Sequence, residues 1–415
     1  MKRAIVLGGG GSRGAYQLGF WRALREVGIA YDMVIGTSIG SINAALMALD
    51  SYDSAAALWE KIRATDIMRD GINLEYSIEA MYRQRAQLLA FLKRYVNTKG
   101  ADIAPLRALI REVIDEKALR AARVEFGLVT LQVPSLKPME LLTADIPEGQ
   151  LHEYLIASAS CFPAFPLAKI EGKNYIDGGY YDNLAIDFAI RAGADTVIAV
   201  DLGYEDPPHP HYVYMPNITY LAPSWPLGSF LDFNPDVLHR NIALGYLDAM
   251  KGFGKYRGFR YAFTQEGIPE DSAFLLCVQR FEAFLAHDSG MARVSEKSAA
   301  PLTSCVLEHT GGRLSVAEWN LRGLEIIAEL LEIPPTRAVS FAELDRTVRD
   351  AVAKAPPLHA LSGALKGAAP NALLAALAEK LKGGDAAFSE LKWVASSMPA
   401  ALTGAMYLAA RGIAK

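Results

Sequence analysis

Cysteine is scarce in this chain, and histidine never falls into a pattern. Three cysteines (Cys161, Cys277 and Cys305) stand far apart and are odd in number, which excludes a disulfide framework or a thiolate metal site and fits a reducing compartment. There is no uninterrupted apolar run of transmembrane length. The nearest candidate, Trp393 to Ala410, is uncharged but weakly apolar and contains Pro399, so it reads as a core or interface helix. MKRAIVLGGG has too few apolar residues before its glycines for the core of a signal peptide. An excess of one charge is also missing: 42 Lys and Arg against 46 Asp and Glu leave −4. That gives no overall pull toward nucleic acid or anionic membranes, and any such affinity must come from local patches. The expected location is cytoplasmic, with room for peripheral contact at a membrane.

Apolar residues make up 51% of the chain and charged residues 21%, over 415 residues. This is the composition of a folded protein long enough for two to three domains. The opening run Arg3 to Leu7 reads as a strand. Gly8-Gly9-Gly10-Gly11-Ser12-Arg13-Gly14 follows as a loop, and then comes a helix with Tyr16, Phe20, Ala23, Leu24 and Val27 on one face and Gly28 as its stop. Strand, glycine-rich turn and helix recur at once around Ser38, so the chain opens as an α/β fold.

Gly36-Thr37-Ser38-Ile39-Gly40 fits the nucleophile elbow, a strained strand-to-helix turn that lifts a serine hydroxyl clear of the backbone. Glycines two residues to either side remove side chains that would collide across so sharp a reversal. The helix expected over Ile42 to Leu49 aims its N-terminal dipole and free N–H groups at the serine, which favours negative charge there. Serine between glycines also occurs in ordinary turns, and strand-before, helix-after is the context that separates the two.

A rival stands in the same region. Gly9 to Gly14 matches the G-x-G-x-x-G dinucleotide fingerprint, and Asp32 lies near the distance of a ribose-binding acid. Both readings use amides at a helix start to hold negative charge, a pyrophosphate in one and the oxyanion of a tetrahedral intermediate in the other. An exposed serine in the second unit is needed by the hydrolase and not by the dinucleotide site.

Further along, Ser54 to Lys117 reads as mostly helical. Within it Met81 to Lys99 is basic and amphipathic, with Leu88, Leu92 and Val96 flanked by Arg83, Arg85, Lys93, Arg94 and Lys99. Such a stretch is either a lid that touches lipid or a solvated face over a small core stripe. Val124 to Val133 and Met139 to Thr143 read as neighbouring strands, and Leu151 to Ser160 as a helix in which Ser158 and Ser160 have structural roles. Asp177 closes a short strand and precedes Gly178 and Gly179, a sequence that by itself usually marks a turn. Ala185 to Ala192 reads as helix, Thr196 to Leu202 as buried strand, Gly203 to Ser229 as irregular and Asn234 to Met250 as helix. Lys251 to Tyr261 mixes basic and aromatic residues as a surface turn, with no nucleic-acid motif nearby. Beyond residue 258 the chain turns Ala-, Leu- and Glu-rich with helical spacing, for example Phe341, Leu344, Val348 and Val352, or Leu373, Leu377 and Leu381.

A serine nucleophile needs a base. His152, His209, His211, His239, His287, His309 and His359 all lie after the elbow, and none sits in a recognisable motif; His209 and His211 are in a Pro-rich loop. GGGGSRG, GTSIG and DGG, in that order, offer another solution. Over about residues 1 to 258 the chain resembles the patatin-like phospholipase family. The resemblance takes in SASCFPAFP (Ser158 to Pro166) and LGSFLDFNPDVLHRNIALGYLDAM (Leu227 to Met250).

The resemblance implies an α/β three-layer sandwich with a central, mostly parallel sheet, as a catalytic domain over 1–258; within it 54–117 is the mostly helical region whose basic stretch offers the lid reading given above. A helical region over 259–415 follows. It also implies a serine–aspartate dyad without histidine: Ser38 attacks an acyl ester and Asp177 takes its proton. Gly10, Gly11 and Arg13 match the oxyanion-binding loop, and Gly9, Gly14, Gly36, Gly40, Gly178 and Gly179 are its motif glycines. Gly8 stands where many relatives carry aspartate. The implied substrates are lipid esters (phospholipids, lysophospholipids or acylglycerols), with no cofactor and no metal in the chemical step. The alternatives are the dinucleotide-binding protein and a non-catalytic membrane or partner scaffold on the same fold. Acyl transfer to an acceptor other than water is a further variant, and the sequence leaves the oligomeric state open.

Overall fold

The computed structural model describes residues 1–69, 101–203, 210–288, 300–356 and 368–412. The basic stretch Met81 to Lys99, His209 and His359 lie outside the described residues. The chain divides into two compact units, Met1–Phe253 and Gly254–Lys415.

The first unit is built on an eight-stranded sheet in the order β5-β6-β3-β2-β1-β7-β8, with β4 also on β3. The strands are β1 (Arg3–Leu7), β2 (Met33–Thr37), β3 (Glu125–Val133), β4 (Lys137–Leu142), β5 (Ala168–Ile170), β6 (Lys173–Asp177), β7 (Thr196–Val200) and β8 (Ile218–Leu221). The central run β3-β2-β1-β7-β8 is parallel, and β4, β5 and β6 add the antiparallel pairings. Central parallel strands bury both faces, which is why Ala4 to Leu7 and Met33 to Ile35 are continuous apolar runs without alternation. Ala4, Val6, Met33, Ile35, Val197 and Ala199 form one core with Ile186, Phe188 and Ala189 of the helix Ile186–Arg191. Ile5, Leu7 and Val34 are buried on the opposite face. There α1 (Ala15–Val27) and α2 (Ile39–Ala48) lie, as right-handed crossovers running in one direction along a sheet require. The architecture is therefore α/β with a mixed central sheet between helical layers.

Helix α1 packs against the helix Pro235–Gly252 at unusually close range. A Cβ on Gly19 would lie 1.9 Å from the Ile242 carbonyl oxygen, and one on Gly245 would lie 1.9 Å from that of Tyr16. Two glycines thus let two backbones touch. At one end of the pair, the Tyr16 hydroxyl donates to Asp248 at 3.0 Å, and Asp248 also accepts the Ser224 amide at 2.9 Å. This crossing fixes the segment leading into Pro235–Gly252, which matters for the site.

Several elements differ from the sequence expectations. Helix α2 begins at Ile39, directly after Ser38, rather than at Ile42. The stretch expected to be irregular before Ser229 contains strand β8, short and flanked by proline and tyrosine, so no periodicity announced it. Helices are present at both ends of the expected 54–117 helical region, Tyr52–Lys61 and Ala104–Val113 among them.

The second unit is helical. Its helix Pro399–Ala410 has Ala401, Leu402, Thr403, Gly404, Ala405, Met406, Tyr407 and Leu408 all buried, so it sits at the centre of that unit. The single helix expected across Trp393 to Ala410 is in fact two, Asp385–Ser397 and Pro399–Ala410, because Pro399 cannot donate within a helix and opens a new first turn. The expected stripes Phe341/Leu344/Val348/Val352 and Leu373/Leu377/Leu381 are buried as a helical period demands. Glu325, fully buried, accepts the amides of Phe259, Arg260 and Tyr261 at 2.8, 3.0 and 3.0 Å and pairs with Arg322 at 2.8 Å. Its charge is thus answered on every side. No helix among the described residues is long and apolar enough to cross a membrane.

Gly245→Ala tests the helix crossing. An added methyl has no room against the Tyr16 carbonyl, so the variant should lose about 1–3 kcal/mol of stability by overpacking, read as a lower urea midpoint for the first unit. An unchanged midpoint would mean that the two helices do not cross this closely.

Candidate active site

Strand register brings Ser38 and Asp177 together. β3 carries β4 along one edge over Gly127–Gln132, so β2 and β6 share the other edge. They enter it from opposite directions: Thr37 ends β2 opposite Val129, and Asp177 ends β6 opposite Thr130. Two carboxyl-terminal strand ends therefore meet at adjacent register positions, about one residue's rise (~3.3 Å) apart along β3. Neither chain can continue. β6 closes into a single 3-10 turn, Gly178–Tyr180, with the Gly179 amide donating to Asp177 Oδ1 at 2.8 Å. β2 leaves through Ser38, which takes φ 55° and ψ −128°, in the left-handed half of the map that a side chain rarely enters.

The elbow glycines answer this crowding, though not quite as the spacing argument expects. A Cβ on Gly36 would lie 2.1 Å from the Gly40 carbonyl oxygen, and one on Gly40 would lie 2.3 Å from the Leu7 carbonyl oxygen. Gly40 thus makes room for β1 rather than for Gly36. A Cβ on Gly178 would lie 2.3 Å from the Val129 carbonyl oxygen, the tight point where the two ends meet. Gly14 packs against Ile39 and Trp59 behind the elbow.

One short segment steadies both side chains. Ser158 Oγ accepts the Ser38 amide at 3.0 Å, and the Ser160 carbonyl accepts the Asp177 amide at 2.9 Å. From the far side, Thr37 Oγ1 donates to the Asp182 carbonyl at 3.0 Å. Asp177 is 5% exposed. Burial pushes its carboxyl up from 3.8 to about 6, against hydrogen bonds from the Ser38 side chain and the Gly179 amide that favour the anion.

The glycine-rich loop follows β1 and lies beside the elbow; a Cβ on Gly9 would be 2.9 Å from Ser38 Cβ. Gly8 donates to the Val200 carbonyl at 3.0 Å and Gly9 to that of Asn183 at 3.3 Å, while Asn183 Nδ2 donates back to the Gly9 carbonyl at 3.2 Å. Past the next two residues a strap takes over. Ser12 donates its amide to the Phe230 carbonyl at 2.8 Å and its hydroxyl to that of Ser229 at 3.0 Å, and Arg13 Nε donates to Gly228 at 2.8 Å. Between these fixed points the amides of Gly10 and Gly11 donate to no group among the described residues.

All of this surrounds one cavity of about 350 Å³. Its lining includes Gly9, Gly10, Gly11, Arg13, Ser38, Asp177, Gly179 and Asn183, together with the apolar Ile39, Ile42, Ile67, Leu106, Phe165, Leu231 and Phe233. No histidine among the described residues lines it. His152 is engaged with the Ile114 carbonyl at 2.7 Å, and His211 stacks on Tyr212. Asp32, the acid that the dinucleotide fingerprint would need, accepts the Arg3 amide at 2.9 Å and braces β1.

The model of the patatin-like phospholipase family matches residues 5–190, which include the loop, the elbow, Asp177 and both its glycines. Over these residues the chain is similar to the patatin-like phospholipase family. The patatin-like domain is 31% identical to patatin-like phospholipase domain-containing protein 6 of Homo sapiens over 209 residues, 49% of this chain and 13% of that one. It is 29% identical to lysophospholipase nte1 of Aspergillus terreus over 202 residues, 49% of this chain and 12% of that one. The chain thus spans under a fifth of the length of these relatives. The crystal structure of VipD from Legionella pneumophila aligns over 100% of this chain and 91% of its own at 13% identity, with a TM-score of 0.40.

Two contributors escaped the sequence reading. Asn183 clasps the loop from a position with no motif of its own, and the strap Gly228–Phe230, at the start of the Leu227 to Met250 segment of the resemblance, carries no role in it that the sequence names. Ser158 was read as structural, and its hydroxyl braces the Ser38 amide. Ser158→Ala should cost about 1–3 kcal/mol in urea unfolding, because the Ser38 amide loses its acceptor. Ser160→Ala should cost less, since the Ser160 main-chain carbonyl, not its hydroxyl, holds Asp177. Equal losses would remove the distinction.

Proposed function

We propose that the patatin-like domain is a serine acyl hydrolase that cleaves carboxylic esters of lipids through an acyl-Ser38 intermediate, with Asp177 as the proton carrier. The observation that carries this is the buried carboxyl of Asp177 beside the Ser38 hydroxyl in a cavity with a largely apolar lining. The family match and the named activities of the relatives, a phospholipase-domain protein and a lysophospholipase, support the lipid ester as substrate class.

Ser38 Oγ attacks the ester carbonyl carbon as its proton passes to the Asp177 carboxylate. The carbonyl oxygen becomes an anion that the Gly10 and Gly11 amides, which have no acceptor among the described residues, would stabilise, in a loop held by Asn183 on one side and by the strap on the other. Collapse breaks the bond to the glycerol-side oxygen, which takes the proton from Asp177 and departs. Water then attacks the acyl-serine carbonyl as its proton passes to Asp177; collapse breaks the bond from the acyl carbon to Ser38 Oγ, which takes that proton back, and the carboxylic acid leaves. One carboxyl serves as base and acid in turn, so an affinity near neutrality suits it better than the ordinary value of an aspartate. At about 6 the group is still mostly ionised at pH 7 and is a stronger base than a solvated carboxylate. Arg13 lies at the cavity with its Nε committed to Gly228, so its part is to hold the loop. An oxyanion donor is worth roughly 2.7–4 kcal/mol of barrier, so the loop should matter nearly as much as the dyad. The chemical step asks for no cofactor or metal.

Ser38→Ala and Asp177→Asn should each abolish hydrolysis of a soluble short-chain ester in folded protein; turnover like the parent in either variant sinks the dyad. With Asp177 as base, kcat/KM should rise with pH and level off above about 6, and a rate that is flat from pH 5 to 8 would assign the base elsewhere. Stability carries the opposite sign. A carboxyl whose folded value is raised stabilises the fold most below its unfolded value of 3.8, and that contribution is lost as pH rises to about 6. Asp177→Asn, freed of a buried charge, should therefore be no less stable than the parent at pH 7.

A further inference from the structure

The mouth of the cavity carries aromatic side chains that water should not favour. Phe162, Tyr180 and Phe230 are 43, 53 and 40% exposed, although each comes from a different segment that builds the site. Phe162 lies between the lining residues Cys161 and Ala164; Tyr180 and Phe230 line the cavity themselves. Hydrogen bonds hold the Tyr180 side chain and the main chain at Phe162 and Phe230. The Tyr180 hydroxyl donates to the Phe162 carbonyl, tying two of them together, and the Phe230 main chain is bonded to Ser12. Exposed aromatics carried by linked segments that border one cavity mark an interaction surface rather than scattered exposure.

We infer that this aromatic rim is a docking surface for lipid, which seats the cavity mouth directly on a membrane or micelle. The inference rests on the lipid-ester reading of the site, and that reading selects the occupant. Each methylene drawn through water is unfavourable, so a long acyl chain cannot cross an aqueous gap to reach an apolar cavity. The rim must meet the phase in which the chain is dissolved. Phenylalanine and tyrosine suit that depth, an apolar ring with, in tyrosine, a hydroxyl for the headgroup level. The rim binds through apolar contact, so salt should weaken it little.

The test measures sedimentation of the full chain with phosphatidylcholine vesicles, using Ser38→Ala protein so that the lipid is not consumed. Phe162→Asp and Phe230→Asp in that background should each weaken vesicle binding about tenfold or more, while 0.5 M NaCl changes it little. Phe162→Trp should keep binding and add a blue-shifted emission component with vesicles, which reports insertion even if the aspartate variants fold poorly. In Ser38-containing protein, Phe162→Asp should hydrolyse a soluble short-chain ester at the parent's rate and long-chain lipid in vesicles much more slowly. Undiminished vesicle binding by folded aspartate variants overturns the inference, as does unshifted Phe162→Trp emission, or a rim that proves to mediate self-association in gel filtration. Failure of the Ser38 reading would appear separately, as soluble-ester turnover that survives Ser38→Ala.

Discussion

Two strands that run toward each other along one edge of β3 impose the constraint from which the rest of the site follows. β2 and β6 compete for the same row of hydrogen-bonding groups, and the row is used up where Thr37 and Asp177 abut. The chain after Thr37 must leave at once, and a serine with positive φ is the result. The chain after Asp177 must leave too, and glycine is needed where it passes the Val129 carbonyl. A hydroxyl and a carboxyl consequently face one cavity although 139 positions separate them (177 − 38). Strain at Ser38 is sustained by the surrounding bonds: Ser158 on its amide, α2 starting at the next residue, and β1 behind Gly40.

Burial gives the carboxyl its chemistry. Low-polarity surroundings disfavour the anion, and two hydrogen bonds restore part of the loss, which leaves a group that titrates near 6. Neither influence alone would suit a proton carrier. A solvated aspartate holds its proton too weakly, and a carboxyl buried without donors would stay neutral. The glycine loop shows a comparable division: its ends are pinned by Asn183 and by the strap, and the Gly10 and Gly11 amides between them donate to no group among the described residues. The strap is itself anchored by the Pro235–Gly252 helix, whose glycine-to-glycine crossing with α1 ties it to the helix that the loop begins.

Much was legible from residues alone, because local chemistry fixes it. Glycines at 36 and 40 around a serine, between a β-branched run and a helix former, have few backbone solutions, and the elbow is one of them. Continuous apolar runs at Arg3 to Leu7 and Met33 to Ile35 required strands covered on both faces. The heptad-like stripes after residue 258 required helices. The motif order GGGGSRG, GTSIG and DGG pointed to a family, and the family model covers those same residues. Pro399 was visible as an interruption, yet whether it kinks one helix or starts another depends on what the flanking turns pack against.

Tertiary structure decided what no window of sequence contains. That Asp-Gly-Gly is part of a site and not a surface turn follows from the register of β6 on β3, a pairing between residues more than 40 apart. That Ser158 serves the Ser38 amide while Ser160 offers only a carbonyl depends on how one helix ends beneath the elbow. The role of Asn183 and the strap comes from hydrogen bonds to main-chain atoms, which any residue possesses and no side-chain pattern records. Sequence by itself determined the local conformations, because sterics and apolar periodicity act over a few residues. The approach of carboxyl to hydroxyl, and the burial that sets its proton affinity, belong to the folded sheet, because only long-range strand pairing can supply them.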